Sequence, residues 1–151
     1  MASLSDVLSD PNRRQQIVHD SGGVLDQEVA DKGGIAGLAI KGAFALVKGL
    51  KPGIIPELIE GLLPEFTKAI DPILAQRPPG ADIATFLNGR TNDIVQALLA
   101  VTDARAAKTP HQTLLKAYQK LRPTAEKHVG AAIPRVAAMV ARHLGAFEKA
   151  A

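Results

Sequence analysis

The chain has 151 residues, the length of one ordinary domain, and 46% of them are hydrophobic while only 3% are aromatic, so a core must be built from Ala, Leu, Ile and Val. Cysteine is absent, which excludes disulfides and thiolate metal sites. The net charge of +3 is too small to argue for nucleic-acid binding.

At the start of the chain Ser3, Asp6, Ser9 and Asp10 interrupt any apolar run, so no secretory leader is read there and a cytoplasmic location is expected. The segment SDPNRRQQIV places Asp10 as a helix N-cap and Pro11 at the first helical position, where its missing N–H costs nothing. Ile17, Val18, Val24, Leu25 and Val29 continue at roughly helical spacing, with Gly22 and Gly23 as an expected interruption.

Asp31 to Gly53 reads DKGGIAGLAIKGAFALVKGLKPG. Gly37 and Gly42 have the separation of a phosphate-binding loop, but Ala43 and Phe44 stand where Lys and Ser/Thr are needed, and no strand precedes them. Lys41 breaks the run that a membrane span requires. The reading that remains is a buried helical spine. Gly33 and Gly37, with Ala36 and Ala43, would let another backbone approach, while Leu38, Phe44, Leu46, Val47 and Leu50 fill the space around them. Lys41 and Lys48 share a face and would mark a narrow solvent side. An interfacial membrane helix is the rival reading.

Pro56, Pro64 and Pro72 then recur through an otherwise helical apolar pattern, which predicts kinked or segmented helices. RPPGAD, from Arg77 to Asp82, is the clearest linker. Beyond it, KTPHQTLL offers Thr109 as a cap, Pro110 at the first helical position and Gln112 at the capping-box position.

The two halves echo each other. Asp31 and Asp103, Phe44 and Tyr118, Pro52 and Pro123, and Pro64 and Pro134 fall in the same order at nearly constant offset, as a diverged duplication of residues 12–76 and 82–148 would place them. Their charges differ. Residues 1–75 hold seven Lys/Arg against ten Asp/Glu, and residues 76–151 hold eleven against five, so the halves can attract one another within one molecule or between molecules.

The pieces DKGGIAG, KPGIIPELIEGLLPEF, VTDAR and YQKLRPTAEKHVGAAIP resemble a family of small, uncharacterised bacterial proteins classed as a domain of unknown function. The resemblance implies a bacterial, single-domain, helical protein and carries no activity, ligand or catalytic residue.

Candidate chemistry is thin. His19, His111, His128 and His143 include no pair four residues apart and no HExxH, so no metal site is read from them. Ser21 lacks the hydrolase elbow, and Glu57 with Glu60 has no converging partner. Asp103, Arg105 and Arg122 are read as structural. Lys116, Lys120, Arg122, Lys127, Arg135 and Arg142 could meet phosphates, but neither a recognition helix nor stacking aromatics accompany them. Nucleic acid is therefore not an expected partner.

These features predict an all-α, single-domain bundle of six to eight short, proline-punctuated helices without catalytic residues, cofactor or metal. The function expected is a structural or protein-interaction domain that self-associates, with a peripheral membrane or lipid-binding protein as the alternative. The interface would join Ile54, Ile55, Leu58, Ile59, Leu62 and Leu63, more apolar surface than one helix usually buries, to basic residues Arg122, Arg135 and Arg142.

Overall fold

A computed structural model describes residues 2–150. The described chain contains eight α-helices and no strand: α1 (Leu4–Leu8), α2 (Pro11–Asp31), α3 (Gly34–Lys48), α4 (Ile54–Leu74), α5 (Ile83–Asn88), α6 (Thr91–Lys108), α7 (Gln112–Leu121) and α8 (Ala125–Ala150), with a 3₁₀ turn at Arg122–Thr124. The all-α expectation holds. The order of a short helix, a long one, a medium one and a long one occurs twice, and Arg77–Asp82 lies in the connection between the two runs.

Local chemistry explains most boundaries. The Asp10 carboxylate accepts from Asn12 N at 2.9 Å and caps α2, with Pro11 at its first position. Ser3 and Asp6 form a reciprocal capping box on α1. Asp71 of α4 then accepts from Leu4 N at 2.7 Å and Ser5 Oγ at 2.7 Å, fixing α1 against α4. Gly53, at φ 76°, supplies the left-handed residue from which α4 starts.

The four long helices form a ring. α2 packs on α4 and α8, and α6 packs on the same two, while neither α2 with α6 nor α4 with α8 packs extensively. Helices α1 and α5 brace this ring beside α4 and α8. α3 and α7, the connections that follow α2 and α6, pack on each other across it. The best-covered side chains are Val7, Leu87, Ile94, Ile133 and Leu144.

Several expectations need correction. α2 runs unbroken through Gly22 and Gly23, since two glycines lower helix propensity by about 1 kcal/mol each without breaking the backbone bonds. α4 is one continuous helix through Pro64 and Pro72, so the segmented alternative falls and a continuous helix with prolines inside remains. Pro64 has no N–H for the Glu60 carbonyl, four residues back, and arginines reach the carbonyls of that turn instead. Arg14 Nη2 lies 3.5 Å from Glu60 O, and Arg105 Nη2 donates to Gly61 O at 2.6 Å. Thr109 closes α6, and α7 begins later, with His111 as its N-cap.

The spine reading fails at α3. Ile35, Leu38, Leu46 and Leu50 are 88%, 72%, 57% and 41% exposed, because α3 is covered only from the side of α7, α2 and α4. Gly33 has open space around it. Gly37 is closely packed, but against the turn before its own helix rather than at a helix crossing: a Cβ there would lie 2.6 Å from the Lys32 carbonyl oxygen. Gly37→Ala is therefore expected to destabilise the fold by about 1–3 kcal/mol. Gly42→Ala, with nothing within 4 Å, should stabilise it by roughly 0.5–1 kcal/mol through helix propensity. Urea denaturation of the two variants checks the contrast.

Candidate functional site

The ring leaves a space at its centre. Aliphatic side chains from all four long helices (Val24, Leu63, Leu99 and Val136 among them) line a chamber of about 440 Å³, together with Ile40 and Phe44 of α3 and Tyr118 and Leu121 of α7. Its wall is almost wholly apolar. Val24, Leu25, Val29, Phe66 and Met139 are only half-buried although they line it. A chamber of this size lies in the range of small-molecule pockets, ~300–1,000 Å³.

Polar groups occur on the wall where α2, α3, α7 and the start of α8 meet. Glu28 is buried between Lys32, at 3.4 Å, and Arg135, which also engages Asp31. The Tyr118 hydroxyl is hydrogen-bonded with Thr102 Oγ1 at 2.8 Å and with the Asp103 carboxylate, which takes two further bonds from Arg122 at 2.9 and 3.1 Å. Burial and the bond to Asp103 push the Tyr118 hydroxyl pKa up, and Arg122 followed by Tyr118 holds the Asp103 carboxyl low. This cluster is saturated.

His128 is not. It lines the chamber, and its Nε2 is the one buried side-chain nitrogen or oxygen with no hydrogen-bond partner among the described residues. Burial first, then the charges of Lys32 and Lys127, lower the pKa of His128, so the ring is neutral at pH 7 and offers one free hydrogen-bonding nitrogen.

A second polar pair lies at the edge of the chamber, which His143 lines and Asp20 does not. His143, itself buried, places Nε2 2.7 Å from Asp20 Oδ2, which also accepts from Arg142 Nη2 at 3.1 Å. Burial pushes the Asp20 pKa up, but bonds from His143, Arg142 and His19 outweigh it and hold the carboxyl low. The nearby Ser21 hydroxyl turns to the Met139 thioether at 3.6 Å, so no activated nucleophile accompanies the His–Asp pair. No group of three or more His, Asp or Glu able to hold a metal occurs among the described residues.

Of the residues singled out in the sequence, Ile59 and Leu63 line the chamber, and Ile54, Ile55, Leu58 and Leu62 are half-buried along α4. Arg122, Arg135 and Arg142 do not converge on that segment. Each is bonded to an acid of its own chain, Asp103, Glu28 with Asp31, and Asp20 respectively. Arg105 bonds Glu65 at 3.1 Å. Sequence reasoning missed His128 and the chamber, for which the scarcity of aromatics was the available sign.

Fold and site together define a helical bundle with a half-open apolar chamber at its centre. No described helix is long and apolar enough to cross a membrane. The chain belongs to DUF6918, a family of unknown function whose pattern matches residues 4–144. No curated protein and no solved structure matches it.

The lowered His128 pKa has a stability consequence. Unfolded chain binds a proton near the ordinary value of 6.5 and folded chain binds it at lower pH. Its contribution is thus fully present above pH 6.5 and is lost as pH falls from there through the folded value. His128→Leu should flatten the fall of melting temperature with pH below 6.5, measured against wild type across an acid titration.

Proposed function

We propose that this protein is a non-catalytic binding protein that holds one apolar chain bearing a single hydrogen-bonding group, with the chain in the central chamber and the polar group at His128. The observation that carries the reading is the pairing of an almost wholly apolar wall with one unsatisfied buried nitrogen. Water is a poor filling, because an ordered water needs two to four polar partners. An apolar guest gains contact along the whole wall. Each methylene so buried contributes about 0.8 kcal/mol. Single-chain fatty acids or fatty alcohols have the required chemistry.

The reading takes up the lipid-binding alternative of the sequence analysis. Head-to-tail self-association has less support, since Arg122, Arg135 and Arg142 are engaged within the chain and Ile59 and Leu63 face the chamber.

Titration with an environment-sensitive fluorescent fatty acid, displaced by unlabelled palmitate, tests the proposal. Saturable binding of one probe per chain is expected. Ala132→Phe places a ring in the chamber and should weaken binding at least tenfold while leaving the melting temperature equal or higher. Binding by that variant as tight as by wild type would contradict the reading.

A further inference from the structure

We infer that the outer face of α3 docks on the surface of an anionic lipid bilayer, which presents the chamber to the source of its guest. The inference rests on the chamber reading for its purpose and on separate residues for its chemistry. Ile35, Leu38 and Leu46 follow one another at spacings of three and eight, so they lie along one side of α3, and Gly42 and Ala39 share that side. With Leu50 just beyond the helix they form an exposed apolar strip. The opposite side of the same helix carries Ile40 and Phe44 into the chamber wall. α3 is thus apolar on both sides, a pattern that fits a helix with a second apolar phase to meet.

Charge identifies that phase. Residues 32–56 hold four lysines and neither Asp nor Glu, inside a half of the chain that is otherwise acidic. Lys41 and Lys48 lie together along one edge of the apolar strip, Lys48 with its ammonium 5.1 Å from the centre of the Phe44 ring, and Lys51 follows Leu50. Lys41 is exposed; the contacts of Lys48 and Lys51, to Asp26 at 3.6 Å and Glu57 at 2.7 Å, join groups that are all more than half exposed, so they yield readily to another anion. Large apolar residues beside lysines on a helix lying flat match the interface of an anionic bilayer. A second copy of this chain would present the same lysines and repel them.

Co-flotation with vesicles of phosphatidylcholine, with and without phosphatidylglycerol, tests the inference. Wild type should float with the anionic vesicles and far less with the neutral ones, and added salt should release it. Lys41→Gln should weaken partitioning about fivefold, the equivalent of about 1 kcal/mol per lysine near the surface. Leu38→Glu, at an exposed position outside the chamber, should abolish flotation while its affinity for the fluorescent fatty acid in vesicle-free solution stays unchanged. No flotation of wild type would overturn the docking inference and leave the chamber reading standing. A wild-type dimer that Leu38→Glu makes monomeric would overturn it too, by naming a second copy as the occupant. Flotation retained by Leu38→Glu would overturn it as well, whereas wild type that floats but binds no fatty acid in vesicle-free solution would count against the chamber reading instead.

Discussion

The structure depends on one packing constraint: four long helices arranged so that diagonal pairs do not meet, in a chain with too few large side chains to close the centre. α2 and α6 are separated by α4 and α8, and four Phe and one Tyr are all the rings available. Ala, Val, Leu and Ile fill the seams between neighbours well, which is why Ile94, Ile133 and Leu144 are fully covered. They are too short to span the ring. A helical interior normally reaches crystal-like density. Here a half-open chamber lined by all four long helices remains at the centre.

Polar contacts hold the ring at this diameter. Glu65, the residue after Pro64 in α4, pairs with Arg105 of α6, and Arg135, the residue after Pro134 in α8, pairs with Glu28 and Asp31 of α2. The two arrangements carry opposite charge order. Asp20 with Arg142 and His143 adds a further tie between the first and second halves of the chain. The opposite charges of the halves are thus met to a large extent inside the molecule. Exposed pairs of this kind are individually worth ~0–1 kcal/mol; Glu28, buried between two cations, is the one whose loss of partners would cost most.

Much of this was legible in the sequence, for identifiable reasons. Asp10 and Pro11 announce the start of α2 because capping is local chemistry, and the small aliphatic composition points to helices. α3 was misread because apolar content identifies what avoids water, not which partner covers it; Leu38 and Leu46 look like core and face outward. Pro64 suggested a kink or a break, but Arg14, distant in sequence, reaches the Glu60 carbonyl it frees, and Arg105 bonds the neighbouring Gly61 carbonyl. The chamber depends on which helices are diagonal, and His128 matters only because nothing bonds its Nε2. Neither fact has a local pattern.

Intermolecular nuclear Overhauser effects between bound palmitate and the protein's methyl groups test the central claim most directly. The account predicts cross-peaks from the acyl chain to methyls of Val24, Leu63, Leu99, Val136 and Met139, which lie on four different helices and share only the chamber. Cross-peaks confined to Ile35, Leu38 and Leu46 on the outside of α3, or to no methyl at all, would contradict it.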